Sequence, residues 1–160
     1  KCPRRRSGAV DTVQRQVAAL EKTVQTLQAE LSRSRKIFTM MGVTTVGGKT
    51  FVSTGWSDTF GNGRIFCNSA GGALAAPKSA AENAALTAMV KRNDKHIILS
   101  INDLQTEGRF VYLNGETLRY TNWKSEEPND LKGEDCVVLQ VDGLWNDISC
   151  NHKALIICEF

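Results

Sequence analysis

The apolar positions of this 160-residue chain follow two different rhythms. From Val10 the valines and leucines recur at alternating spacings of three and four: Val10, Val13, Val17, Leu20, Val24, Leu27 and Leu31. That is a heptad seam, with a at 10, 17, 24 and 31 and d at 13, 20 and 27. It extends to Phe38 (a) and Met41 (d), with Ser34 interrupting at d. Neither Pro nor Gly lies between Ala9 and Met41, so nothing breaks a helix there. The b, c and f positions from Asp11 to Arg33 are polar apart from Ala18, Ala19 and Ala29, and Glu30 (g) and Arg35 (e) are spaced for an interhelical pair. The pattern predicts a coiled-coil neck over 9–41. Valine at a with leucine at d favours two strands by the simple rule.

After residue 44 the periods shorten and change type. Residues 50–54 alternate like a strand, and residues 58–70 and 79–92 read as two helices. Ser79 and Glu82 open the second helix as a capping box. Residues 97–101, 136–141 and 154–160 are short apolar runs suited to buried strands, and Asp142-Gly143 before Leu144-Trp145 is a hairpin turn signal. These features predict one α+β domain over 44–160, with two helices and short antiparallel sheets. Residues 121–135 carry no helix or strand pattern, and so long a loop in a compact domain is usually functional. Residues 1–8 are polar and basic, with Pro3 and Gly8, and read as a flexible end.

Charge sharpens this picture. Residues 1–41 hold nine Lys and Arg against three Asp and Glu, a net of +6; residues 102–147 hold ten acidic against four basic residues, a net of −6. The basic end reads as a solvated helix face, and no nucleic-acid partner is expected. The acidic block is more informative, because crowded like charges repel unless a cation offsets them. Five carboxylates and one carboxamide fall within residues 126–135: Glu126, Glu127, Asn129, Asp130, Glu134 and Asp135. Asn146-Asp147 arrives after the hairpin, and Asp103 and Glu107 add two more acids. Hard oxygen donors in such number suit Ca²⁺, which takes six to eight, and the D-x-D-x-D-G spacing of an EF-hand is missing. The competing reading is a solvated acidic loop paired with Lys124 and Lys132.

Five cysteines without C-x-x-C spacing point to an oxidising, extracellular setting. Cys67, Cys136, Cys150 and Cys158 allow three pairings, among which spacing does not choose. A Cys136–Cys150 bridge would hold both groups of acids at the two ends of one hairpin. Cys2 is the odd one and suggests an interchain bond. No apolar run is long enough for a membrane span, and the N-terminus has no apolar signal region, so a leader is expected to be already removed. There is no Asn-x-Ser/Thr acceptor. Neither His96 nor His152 belongs to a motif with a nucleophile, so catalysis is not expected.

Glu127-Pro128-Asn129, Glu134-Asp135-Cys136, Trp145-Asn146-Asp147, Cys150 and the closing Cys158-Glu159-Phe160 together resemble a C-type lectin carbohydrate-recognition domain. The resemblance runs from Val46 to Phe160. Residues 80–85 and 106–110, behind a coiled-coil neck, are more narrowly similar to the collectins, the group of mannose-binding protein and the pulmonary surfactant lectins. Thr45-Val46-Gly47 is most similar to the surfactant protein A type. Ser100 stands where such domains usually have Gly, which touches packing and not the site.

The resemblance implies disulfides Cys67–Cys158 and Cys136–Cys150 and a cis peptide before Pro128. It implies a principal Ca²⁺ held by Glu127, Asn129, Glu134, Asn146 and Asp147, the same residues binding the sugar. A second Ca²⁺ would use Asp103, Glu107, Asp130, Glu134 and Asp135. Glu127 before Asn129 is the order that goes with mannose, N-acetylglucosamine, fucose and glucose, bound through equatorial vicinal hydroxyls; Leu131 and Ile148 flank the site. Collectin necks are three-stranded, so a homotrimer is expected in place of the two-stranded rule, with Cys2 locking or linking trimers. No Gly-x-y repeat is present, and Cys2-Pro3 so near the neck favours natural absence of a collagen region. The expected function is a secreted, multivalent lectin for glycans on microbial surfaces. The alternatives are a surfactant-like module for phospholipid surfaces, using Met40, Met41 and the basic neck, and a lectin-like fold that binds protein. The intact acidic set argues against the last.

Overall fold

The structure, a computed structural model, describes residues 7–40 and 42–160, with side chains over 8–33 and 42–160. Cys2, the basic N-terminal stretch, Met41 and the side chains of Ser34, Arg35, Phe38 and Met40 lie outside the described residues. The expectations that rest on them stop there. The chain divides into two compact units, residues 1–41 and 42–160.

The first unit is α1 (Ser7–Met40), 34 residues long, roughly 50 Å at 1.5 Å per residue. Its a and d side chains from Val10 to Leu31 are all exposed, from 47% at Val17 to 65% at Leu20. Among the described residues no helix is long and apolar enough to cross a membrane.

The second unit runs β1 (Val43–Val46), β2 (Lys49–Asp58), α2 (Phe60–Ser69), β3 (Ala73–Leu74), α3 (Ala80–Asn93), β4 (Ile97–Asn102), β5 (Val111–Tyr112), β6 (Cys136–Leu139), β7 (Trp145–Ile148) and β8 (Ala154–Glu159). The strands join in one sheet of order β1-β2-β8-β4-β6-β7, with β3 on β8 and β5 on β4. This corrects the expectation of short antiparallel sheets. β4 and β8 are parallel neighbours at the centre, Ile97 opposite Leu155, so the sheet is mixed.

The central strands read as unbroken apolar runs because both faces are covered. Ile97, Leu99 and Ile101 of β4, Val137 and Leu139 of β6, and Leu155 and Ile157 of β8 meet Leu86, Met89 and Val90 of α3. The alternate residues Ile98, Cys136, Val138, Ala154, Ile156 and Cys158 meet Phe60 and Cys67 of α2. Gly63 lets α2 approach closely: a Cβ there would stand 2.5 Å from Ile156 Cδ1. Strands β1, β3 and β5 have little local pattern and are held by their neighbours.

Two helix-start details position α3. Ser79 Oγ accepts from the Glu82 amide at 3.2 Å, as a capping box requires. The Glu82 carboxylate departs from the motif: it accepts from the Lys78 amide at 2.8 Å and from Lys49 Nζ at 3.0 Å. Lys49 also reaches the Ala76 carbonyl and Glu159, joining the domain's first hairpin, α3 and the last strand.

The disulfides are Cys67–Cys158, joining α2 to β8, and Cys136–Cys150, closing the β6–β7 hairpin. β6 ends at Leu139, earlier than its apolar run suggested. Beyond it the Gly143 amide donates to the Gln140 carbonyl, and Gly143 takes φ +86°, so Val141 lies in the turn and is exposed.

Candidate functional site

The hairpin register decides what faces what. Val137 is opposite Asp147 and Val138 opposite Asn146, so Asn146 and Asp147 stand beside the start of β6, where residues 121–135 rejoin the sheet. That segment has neither helix nor regular strand, apart from a single bridge pairing Trp123 with Trp145. The Lys124 amide donates to the Trp145 carbonyl at 2.9 Å and the Glu127 amide to the Lys124 carbonyl at 3.1 Å, which brings Glu127 to the hairpin.

Between Glu127 and Glu134 the backbone is bent by need. The Glu127–Pro128 peptide is cis, as the resemblance implies. Glu126, Asp130 and Lys132 occupy the left-handed region at φ 70°, 48° and 73°, each costing on the order of 1 kcal/mol. Fully buried Asp147 opposes that cost. Its carboxylate accepts the Asn129 amide at 2.9 Å and the Asp130 amide at 2.7 Å. Asp130 Oδ1 takes the Glu134 amide at 2.9 Å, while Asn129 Oδ1 and Glu134 Oε2 share the Leu131 amide at 2.9 and 3.1 Å. Hydrogen bonds and charge therefore link Glu127, Asn129, Glu134 and Asp147, although they come from three stretches of chain. The Asn146 carboxamide donates to the Asp147 carbonyl at 2.8 Å.

Asp103, just past the end of β4, is 2% exposed; its Oδ2 accepts the Gly108 amide at 2.8 Å, and Glu107 Oε1 accepts the same amide at 3.1 Å. The Asp103 amide in turn donates to the Asp135 carbonyl at 3.1 Å. The Asp103 carboxyl is raised above its ordinary value by burial and then by the charges of Asp135 and Asp130. Glu107 is raised by desolvation, then by Asp103, Asp130 and Asp135. The second predicted group is thus also a real gathering of charge.

Whether these donors suit a cation is decided by what is left unpaired. Among the described residues two buried side-chain polar atoms have no hydrogen-bond partner, Asp103 Oδ1 and Glu127 Oε2. One falls in each predicted ion site. Desolvation raises the Glu127 carboxyl to about 7, helped by its contact with Asp147 and the charge of Glu134. A buried carboxylate oxygen without a partner is costly, and a divalent ion is the partner that a cluster of acids can share. The lysine pairing that would make this a solvated acidic loop is not formed. Lys124 Nζ hydrogen-bonds the Gln140 amide oxygen and acts on Glu127 only through its charge, and neither Lys124 nor Lys132 forms an ion pair among the described residues. No three Asp, Glu, His or Cys side chains are already drawn together as a metal cluster among those residues. The like charges turn instead toward the nearest N–H donors.

A model of the Lectin C-type domain matches residues 57–160. The chain belongs to the C-type lectin family. It is 40% identical to Collectin-43 of Bos taurus over 155 residues, covering 94% of this chain and 48% of the relative. It is 43% identical to the mannose-binding protein of Gallus gallus over 150 residues, covering 93% and 59%. The chain thus spans about half the length of these relatives. The carbohydrate-recognition domain of cow CD23, solved in the presence of a GlcNAc2Man3 oligosaccharide, superposes with TM-score 0.68 at 29% identity over 74% of this chain and 92% of that one. Domains of this family generally bind calcium and are not enzymes.

Some parts of this arrangement were not legible in the sequence. The backbone amides of Asn129, Asp130 and Leu131 hold the acidic side chains, and no residue identity signals them. Ile148, next to Asp147, is half-buried: in β7 it is opposite Cys136 and packs against the α2-side core. Leu131, 66% exposed, does stand open beside the acids. Asn83 and Asn122, described below, also escaped notice, since nothing in the sequence ties them to Trp145.

Proposed function

We propose that the lectin domain binds mannose-type sugars through a calcium ion, and that α1 is a trimerising neck that makes the binding multivalent. The observation that carries the reading is Glu127 Oε2, a buried carboxylate oxygen with no partner beside fully buried Asp147. Glu127, Asn129, Glu134, Asn146 and Asp147 would hold the principal ion, and Asp103, Glu107, Asp130, Glu134 and Asp135 a second. When bound, the principal ion supplies coordination to two neighbouring sugar hydroxyls. The chain's own residues complete the recognition. Glu127 and Glu134 accept hydrogen bonds from the hydroxyls, and the Asn129 and Asn146 carboxamides donate to the hydroxyl oxygens, so every polar group finds a partner. Asp147 holds the 129–130 amides and thereby the spacing of the Glu127–Asn129 pair. That order, carboxylate before carboxamide, supports equatorial vicinal hydroxyls as in mannose, N-acetylglucosamine, fucose and glucose. Leu131 adds apolar contact.

An open site of this kind binds a single sugar weakly, and clustering several heads raises avidity through effective concentration. The exposed seam of α1 is the surface that supports a homotrimer, because seven apolar side chains in heptad register stay in water unless other helices cover them. A secreted, multivalent lectin for glycan arrays on microbial surfaces is the function this combination supports. Retention on mannan resin tests it. The domain should bind with calcium, elute with a chelator, elute with mannose but not galactose, and bind less on acidification as protons compete for the carboxylates. Retention in chelator would sink the mechanism.

A further inference from the structure

We infer that Asn83, a carboxamide in the first turn of α3, is a positioning residue for the calcium and sugar site, acting through the Trp145 indole; this rests on the calcium reading above. Asn83 is only 5% exposed and Trp145 fully buried. The indole N–H of Trp145 donates to Asn83 Oδ1 at 2.8 Å, and Asn83 Nδ2 donates to the Gly143 carbonyl at 3.0 Å. The orientation is unambiguous, since an indole can only donate and a carbonyl only accept. The same Gly143 carbonyl takes a second bond from Asn122 Nδ2 at 2.7 Å.

These bonds meet where both halves of the site depart. Trp145 immediately precedes Asn146 and Asp147. Its amide donates to the Asn122 carbonyl at 2.8 Å and its carbonyl accepts the Lys124 amide at 2.9 Å, which sets the stretch leading to Glu127. Trp123 and Tyr120 pack their rings edgewise on the indole, at 5.6 and 5.7 Å between centroids. One indole thus indexes the hairpin against the 120–127 segment, and Asn83 sets the depth and rotation of that indole from a helix anchored at its start by Ser79 and Glu82. An apolar side chain at 83 would leave the indole N–H buried and unpaired, and the ring would shift to find a partner. Asn146 and Asp147 would move with it.

The test is calcium affinity by direct titration, with intrinsic tryptophan emission and thermal unfolding followed in parallel on the whole chain. Asn83→Leu should weaken calcium binding by about 10-fold or more, the range for groups that orient metal ligands, and shift tryptophan emission. Trp145→Phe should weaken it comparably, and the double variant should be no worse than the weaker single one. Asn83→Asp, which keeps the acceptor for the indole and loses only the bond to the Gly143 carbonyl, should bind calcium more tightly than Asn83→Leu. Should Asn83→Leu not fold, Trp145→Phe against Asn83→Asp decides the matter. Calcium affinity unchanged in a folded Asn83→Leu with lowered Tm, fully multiplicative effects in the double variant, or Asn83→Asp as weak as Asn83→Leu would each overturn the inference. A parent chain that binds no calcium would instead refute the site reading itself, and this inference with it.

Discussion

Replacing Glu127 by Gln should have opposite consequences with and without calcium. Without the ion, the Glu127 carboxyl is raised from 4.5 to about 7, first by desolvation and then by Asp147 and Glu134. Its Oε2 is buried and unpartnered. A carboxyl raised on folding keeps more protons in the folded than in the unfolded state between those two values. The ion-free domain therefore loses stability as pH rises from about 4.5 to about 7, and the loss then levels off. The shift corresponds to at most ~3 kcal/mol, and Glu127 is partly open to water, so ~1–3 kcal/mol is the expected size. Gln resembles the protonated acid and can donate to Asp147. In chelator at about pH 8, Glu127→Gln should be the more stable protein by that amount, and the advantage should vanish by about pH 4.5. With saturating calcium the order should reverse, since the variant loses an anionic ligand and binding stabilises only the parent. Urea unfolding at both pH values, with and without calcium, measures all four stabilities. A Glu127→Gln variant less stable than the parent in chelator near pH 8, or a difference independent of pH, would refute the reasoning.

Three further outcomes follow from other parts of the molecule. Exchanging the pair, Glu127→Gln with Asn129→Asp, should move sugar preference from mannose toward galactose; unchanged preference in a competition assay would show that this order does not set selectivity. Cys136→Ser with Cys150→Ser opens a loop with sequence separation 14, costing about 3 kcal/mol by chain entropy, and should lower calcium affinity because both acid groups hang on that hairpin; loss of stability with intact affinity would uncouple the two. Leu20→Glu with Leu27→Glu puts charges at two adjacent d positions and should give monomers by sedimentation, with single-site mannose affinity unchanged but mannan retention lost. A trimer that survives would place the assembly elsewhere.

Both helices of the domain and the central strands were legible because each repeats a period that packing imposes. The Asp142-Gly143 turn was legible because Gly143 needs a left-handed backbone. The mixed sheet was not. An apolar run buried on both faces reads the same whether its neighbour is parallel or antiparallel, and the pairing of Ile97 in β4 with Leu155 in β8 joins strands far apart in the chain. The short strands β1, β3 and β5 were missed because pairing, not composition, holds them. The acidic residues were visible as a crowd, yet a crowd does not say which member is buried.

What the sequence determined by itself was the chemistry: which oxygens are available, the carboxylate-before-carboxamide order at Glu127 and Asn129, and the heptad register of apolar residues on α1. Those are properties of residue identity and spacing. Only the tertiary structure decided that Asp147 is fully buried under the amides of Asn129 and Asp130, and that one orphaned oxygen falls in each acidic group. It also decided that Asn83, 62 positions from Trp145, holds its indole. Burial and hydrogen-bond closure depend on segments distant in the chain arriving together, and no local pattern carries that information.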